Sequence, residues 1–370
     1  MKRVLSLALA LVLALSWACS KAPEDEGTDI IPPETPTPIR LPTPTSVPPP
    51  TPTPTSMPTP EPDVSGINPL NGLPMDEDYA ERRPLAVMYN NIREALPMHG
   101  ISQADLIYEA LAEGGITRIV GFYKNPSIVP RFGSIRSTRA YYLDIAQAHD
   151  AILMHAGGSP EAFSLISSRK LLTLDGTRMN TPFYRDAERR ANKVSLEHTM
   201  FANGPDLEQT LLNLSSRVTY VEGYDPFEAF EFIQTATPQS GADAAKVSLR
   251  YSNYKTGVFD YDESDGLYYV SQYGKPMLDG ENGAQVCVKN VLILHTDVKT
   301  IDSVGRLSTR MTGTGGGLFI CNGKAEDITW SKDGPASPYV YTLANGAPLK
   351  LERGVSYINI APADARIELS

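Results

Sequence analysis

The chain has 370 residues and carries 33 basic against 43 acidic side chains, a formal net charge of −10. That balance argues against a nucleic-acid-binding protein. Three cysteines and five histidines in no zinc-like spacing give no sign of a structural zinc site, and no cofactor motif is present.

Lys2 and Arg3 precede an apolar run from Val4 to Leu15, which has signal-peptide length and is short for a membrane span. It ends at Ser16-Trp17-Ala18-Cys19, which resembles a bacterial lipobox, with bulky Trp17 where a small residue is usual. On this reading residues 1–19 are a signal with a lipobox-like end, and Cys19 carries the lipid. Acyl chains at roughly 0.8 kcal/mol per buried CH₂ make a stable anchor. The alternatives are ordinary secretion with cleavage nearby, or an uncleaved anchor.

Residues 20–65 read as a Pro/Thr-rich disordered stalk. From Pro32 to Pro62, 14 of 31 residues are proline. Such a stretch lacks the apolar side chains and backbone donors of a core. As polyproline II, at about 3.1 Å per residue, it reaches on the order of 100 Å. Its threonines are either bare or sites for O-linked sugar.

The remaining 305 residues are enough for two domains. Residues 66–225 mix strand-like and helix-like segments and predict an α+β or α/β domain. Leu85 to Tyr89 reads as a strand. Ser102 is placed to cap a helix from Gln103 to Glu113, stopped by Gly114-Gly115. Ile116 to Tyr123 and Ala151 to His155 read as strands. Tyr141 to His149 and Asp206 to Leu214 read as helices, and Ser159-Pro160 opens another. Residues 226–370 change character and predict a mostly-β domain, with the boundary between Ser216 and Gly241. Lys246 to Tyr251, Leu267 to Ser271, Asn290 to His295, Leu318 to Cys321 and Tyr357 to Ile360 are short strands. Asp265-Gly266, Asn322-Gly323 and Asn345-Gly346 are hairpin turns between them. Cys287 and Cys321 both fall in predicted strands, so they are either a disulfide or two separate thiols.

Several phrases in these halves resemble a known family. They include Asn68-Pro69-Leu70-Asn71-Gly72-Leu73-Pro74, Gln103 to Glu109, Glu113-Gly114-Gly115-Ile116-Thr117-Arg118, Gly133 to Arg139, and His155-Ala156-Gly157-Gly158-Ser159. Gly305-Arg306-Leu307 and Thr329-Trp330-Ser331-Lys332 extend the likeness into the second half. Together they are similar to the bacterial lipoproteins of the YerB type (DUF3048). The resemblance implies an envelope lipoprotein of two domains and hands over no activity.

The candidate site begins at Arg131 to Arg139. Arg131, Arg136 and Arg139 stand beside Ser134, Ser137 and Thr138, a set suited to phosphate, pyrophosphate or carboxylate. The competing reading makes these arginines internal partners of Glu109, Glu113, Asp144 or Asp150. Gly157-Gly158-Ser159 is a second anion candidate at a helix start, where Ser159 is otherwise only a cap. His155 is a general base or a satisfied core residue, and Asn90 and Asn91 are polar contacts at the same edge or turn residues. Asp105, Glu109 and Glu113 form a candidate divalent-cation cluster or a set of partners for the arginines. Arg185, Arg189, Arg190 and Lys193 form a basic run able to meet an anionic polymer or lipid headgroups, or to lie idle on a solvated face. Gly313 to Gly317 lacks the following Lys-Ser/Thr of a P-loop, and no Gly-x-Ser-x-Gly elbow occurs.

These residues support three readings. In the first, an extracytoplasmic protein is lipid-anchored to the cell membrane and binds an anionic envelope ligand, a cell-wall component or an envelope protein, without catalysis. In the second, a pattern distantly similar to the LytR-CpsA-Psr phosphotransferases acts on polyprenyl-pyrophosphate-linked polymer, with Asp105 helping to hold Mg²⁺ beside Arg136 and Arg139. In the third, the protein is a scaffold for other wall proteins, its arginines satisfied internally and no cleft open.

Overall fold

A computed structural model describes residues 66–236 and 241–370; the apolar leader, Cys19 and the proline-rich stalk lie outside them. An N-terminal α+β part is followed by a mostly-β part. In chain order the first part supplies β1 (Leu85–Asn91), β2 (Leu106–Leu111), β3 (Thr117–Tyr123), β4 (Arg131–Gly133), α1 (Ala140–Ala148), β5 (Ile152–His155), α2 (Pro160–Ser168), β6 (Thr173–Asp175), β7 (Phe183–Arg185), α3 (Ala187–Ala191), β8 (Met200–Asn203) and α4 (Gly204–Leu212). The second supplies β9 (Lys246–Arg250), β10 (Thr256–Asp262), β11 (Leu267–Gln272), β12 (Asn290–Thr296), β13 (Gly313–Cys321), β14 (Lys324–Lys332), β15 (Val340–Leu343), β16 (Ser356–Pro362) and β17 (Arg366–Leu369).

The two parts share one eleven-stranded sheet, in which the order β14-β13-β12-β16-β2-β3-β1-β5-β6 passes from second part to first between β16 and β2. That junction is parallel and pairs Ser356 with Leu106 through Ile360 with Ala110. β3 runs antiparallel to both β2 and β1, and β5 and β6 continue parallel to β1. The C-terminal ends of β1, β2, β5 and β6 therefore lie along one edge of the sheet, where such folds place ligands.

Both faces of the sheet are covered, which explains the uninterrupted burial of its central strands. Ala86, Met88, Leu106, Tyr108, Val120 and Phe122 face a cluster completed by Tyr141, Tyr142, Leu143 and Ile145 of α1 and by Trp330, Tyr339 and Tyr341. Val87, Tyr89, Ile107 and Ile119 face the opposite cluster, with Phe132 of β4, Ala202 of β8, and Val247, Leu249 and Phe259 of β9 and β10. Here a three-stranded sheet, β4-β8-β7, and a six-stranded sheet built around β11-β10-β9-β17 close the layer. Among the described residues no helix is long and apolar enough to cross a membrane.

The helix expected over Gln103 to Glu113 is instead β2. Leu106 to Leu111 is buried on both sides, and its one charge, Glu109, meets Lys255 at 2.9 Å. Ser102 caps nothing there, because its backbone N–H and hydroxyl both donate to Asp279 at 2.8 Å. Cys287 and Cys321 are separate free thiols. Cys287 pairs with Tyr269 in the six-stranded sheet and Cys321 with Asn290 in the large one. Burial, followed by the nearby Glu352 charge, pushes the Cys321 thiol up to about 12.

Candidate functional site

Two loops are stitched side by side at the C-terminal edge of the sheet. The chain leaving β4 runs along the end of β1, where the Arg136 N–H donates to Met88 O at 2.8 Å. The loop after β5 lies against it. Ala156 N–H donates to Arg136 O at 3.0 Å, Thr138 N–H to Gly157 O at 3.0 Å, and Ser159 N–H to Thr138 O at 3.3 Å. Ser137 Oγ adds a bond to Ala156 O at 2.9 Å. Gly157 turns the chain at φ +77°, a conformation glycine adopts at low cost. Its N–H donates to Asp175 Oδ1 at 2.9 Å, the same oxygen that accepts from Thr177 N–H and Oγ1. Ser159 then caps α2, accepting from Ala162 N–H at 3.1 Å, with Pro160 in the first turn.

These loops border two adjoining clefts. The larger, of about 650 Å³, has Arg136, Ser137, Gly157 and Gly158 on one side and Thr177, Arg178, Arg185 and Glu197 on the other. The smaller, of about 330 Å³, shares Arg136, Ser137 and Gly158 and adds Glu113, Arg118, Arg139, Ser159 and Arg306. Arg136 and Ser137 thus stand on the ridge between them. Guanidinium groups outnumber carboxylates in both walls, three to one and four to one, although the chain as a whole is acidic.

The arginines are not equivalent. Arg139 Nε is bonded to Glu113, and its Nη1 donates to Thr138 O at 2.7 Å. Buried Arg118 reaches the same carboxylate at 3.3 Å and donates to Ser137 O at 2.8 Å. Burial alone would raise Glu113, but Arg139 and Arg118 together hold it below its usual range. Burial and the adjacent Arg139 charge lower the Arg118 guanidinium. These two arginines brace the loops. Arg136 pairs with Glu197 at 2.6 Å, a half-exposed carboxylate on the cleft rim, and exposed pairs of this kind contribute little. Arg185 donates to Leu196 O at 2.6 Å and has no carboxylate partner among the described residues. Arg178 bonds Asp175 at 3.3 Å and lies 4.5 Å over the Phe163 ring. Arg136 and Arg185 are therefore not held by a buried carboxylate.

His155 is fully buried behind the Gly157 turn. Its Nδ1 is 2.8 Å from Gly157 O, which can only accept, so Nδ1 carries the hydrogen. Burial lowers the imidazole, and Nε2 has no hydrogen-bond partner among the described residues. Asn90 is buried beneath the loop and bonds His198 Nδ1 at 2.7 Å. Neither side chain lines the clefts. Asn91 turns away and donates to Glu109 at 3.0 Å.

Other expected groupings come apart. Arg131 joins Glu281 and Asp186 in β4 and stays outside the clefts. The basic run divides, since Arg185 faces the larger cleft whereas Arg189 donates to Ala95 O and Pro97 O at 2.7 Å. Asp105, Glu109 and Glu113 do not converge, and no metal-holding group of three or more His, Cys, Asp or Glu occurs among the described residues. Asp105 precedes β2 and Glu113 follows it, so roughly 20 Å of extended strand separates Asp105 from the arginines. Its carboxyl is pushed up to about 6 by burial, against hydrogen bonds from Lys124 N–H and Asn71. The phosphotransferase arrangement, with Asp105 beside Arg136 and Arg139, is absent. Arg178 and Thr177 were not foreseen; their signal is Asp175-Gly176-Thr177 closing a third parallel strand.

The comparisons with known proteins agree with this architecture. Residues 70–217 match the N-terminal domain, and residues 247–358 the C-terminal domain, of the family described as "Protein of unknown function (DUF3048)". A relative from Bacillus subtilis (strain 168), named "Putative lipoprotein YerB", is 27% identical over 299 residues, covering 80% of this chain and 86% of its own. The crystal structure of YerB from Bacillus subtilis superposes with a TM-score of 0.70 at 26% identity, over 82% of this chain and 99% of that one. With both of its domains matched in order, the chain belongs to the DUF3048 family.

Proposed function

We propose that this protein is an envelope lipoprotein, held to the membrane through Cys19 and the proline-rich stalk, whose folded part binds an anionic ligand. The carrying observation is the pair of adjoining clefts, in which the Arg136-Ser137 ridge and the Gly157-Gly158 turn meet Arg185 in an otherwise acidic chain. The lipoprotein name of the Bacillus subtilis relative supports the anchor. Planar guanidinium groups suit phosphate or pyrophosphate oxygens, and Glu197 is a rim carboxylate that such a ligand displaces from Arg136. Binding without turnover is favoured because Ser137 and Ser159 are committed to Ala156 and Ala162.

Native mass spectrometry of the full chain with a polyprenyl-pyrophosphate-linked wall precursor tests this. A bound mass is expected in the wild type. In the Arg136→Ala/Arg185→Ala variant affinity should fall about 100-fold, from two charge-assisted contacts at about 1.5 kcal/mol each. Unchanged binding in that variant removes these clefts as the site.

A further inference from the structure

Away from the clefts, a lysine, a carboxamide and a carboxylate are buried together where the two parts of the chain meet. Lys255 is 1% exposed, Gln272 3% and Glu109 1%. Lys255 Nζ donates to Gln272 Oε1 and lies 2.9 Å from Glu109 Oε1. Lys255 enters β10 and Gln272 ends β11, adjacent strands in which Gly257 faces Gln272. Glu109 comes from β2 of the other part. It is fixed from several sides, by Tyr357 Oη at 2.6 Å on Oε2 and by Asn91 Nδ2 at 3.0 Å and Thr117 Oγ1 on Oε1. Among the described residues the Gln272 Nε2 has no hydrogen-bond partner.

We propose that Lys255 and Gln272 condense into an intramolecular isopeptide bond, with Glu109 as the proton carrier. The hydrogen bond to Oε1 sets the lysine nitrogen beside the amide carbon, one C=O length (about 1.23 Å) beyond the oxygen. Holding nucleophile, electrophile and proton carrier in contact removes the entropic part of the barrier. Glu109 takes a proton from the Lys255 ammonium. The free amine attacks Gln272 Cδ, forming the C–N bond. Glu109 then passes its proton to Nε2 and, as the C–Nε2 bond breaks, takes up one of the two protons left on the lysine nitrogen, the other staying as the amide N–H. The nitrogen leaves as ammonia, and ammonium forms once it recovers that proton. One lysine ammonium and one carboxamide become one secondary amide and one ammonium, and no oxidant or co-reactant is needed. Burial lowers the Lys255 pKa despite the opposing Glu109 charge, which favours the reactive free amine. A cavity of about 520 Å³ lined by Gln272 and Tyr273 offers the ammonia a way out.

The test is peptide mass spectrometry on the full chain. Trypsin should cut an unbridged chain after Lys255, while Lys275 is protected by Pro276. A bridged chain yields instead one peptide spanning 251–289, lighter by one ammonia. Cutting that peptide after Glu263 and Glu281 should leave pieces 251–263 and 264–281 joined and release 282–289. Glu109→Gln, which leaves this peptide's sequence unchanged, should give the unbridged pair, and Glu109→Asp should recover some bridge. A wild-type chain cut cleanly after Lys255, with both peptides at full mass, overturns the bond whatever the variants do. Full bridging in Glu109→Gln overturns the role given to Glu109.

Discussion

His149 is buried among aromatic rings, and its chemistry sets a pH dependence on the whole fold. Its Nε2 lies 3.0 Å from Tyr108 Oη, with Phe122 edge-on at 5.0 Å and Phe230 stacked at 5.7 Å. Burial, followed by the Lys332 charge, lowers the imidazole to about 3. In the unfolded chain the same group titrates near its ordinary value of about 6.5. Between these values the unfolded state binds a proton that the folded state refuses. Stability from this residue is therefore complete above about 6.5 and is lost as pH falls toward 3, by about 1.4 kcal/mol per unit. Burial also lowers His99, His155 and His198, so the acid limb has several contributors. Urea midpoints at pH 8 and pH 4 should lie closer together in His149→Gln than in the wild type. An equal gap in both proteins would mean that His149 is protonated, or exposed, in the fold.

At the scale of elements, the approach to the clefts depends on how closely β4 and β8 pack. A Cβ built on Gly133 would lie 2.3 Å from Phe201 Cδ1. Phe201 is fully buried, with the His99 ring edge-on at 5.1 Å and the Arg189 guanidinium at 5.1 Å, so its ring has little room to yield. Gly133→Ala should cost about 1–3 kcal/mol as overpacking, seen as a lower Tm, and weaken anion binding by displacing Ile135 to Ser137. Unchanged stability would show that β8 can give way. Local chemistry made these loops legible in sequence: glycines beside a strand end, a serine-proline helix start, and arginines among hydroxyls. The strand character of β1, β3 and β5 was equally plain. β2 was not, because Ser102, Asp105, Glu109 and Glu113 imitate a capped helix with an acidic face. What holds Glu109 from the other part, the Lys255 nitrogen and the Tyr357 hydroxyl 248 residues away, lies far along the chain, so no local window around residue 109 contains it. The pairing of Arg139 with Glu113 was among the expected partners, whereas Arg178 and Arg185 reach the cleft from segments whose place depends on the sheet order.

For the molecule as a whole, the change from α+β to mostly-β composition does not coincide with a break in the sheet. β16 pairs with β2 along five residues, and the Glu109 carboxylate of one part is held by Lys255 and Tyr357 of the other. Tyr251 of β9's hairpin also bonds Asn359 of β16 at 2.7 Å, tying the six-stranded sheet to the large one. Separating the parts would expose the inner edges of β2 and β16. It would also strip the buried Glu109 carboxylate of its contacts with Tyr357 Oη and the Lys255 nitrogen, a loss of about 1.5–3 kcal/mol for each. The two parts should therefore unfold together. Calorimetry of the full chain should give one transition in which the calorimetric and van't Hoff enthalpies agree. Glu109→Ala should lower that transition without splitting it, since the β2–β16 ladder persists. Two resolved transitions in the wild type would mean that backbone pairing across this junction is too weak to couple the parts, and that the shared sheet is a contact between independently stable units.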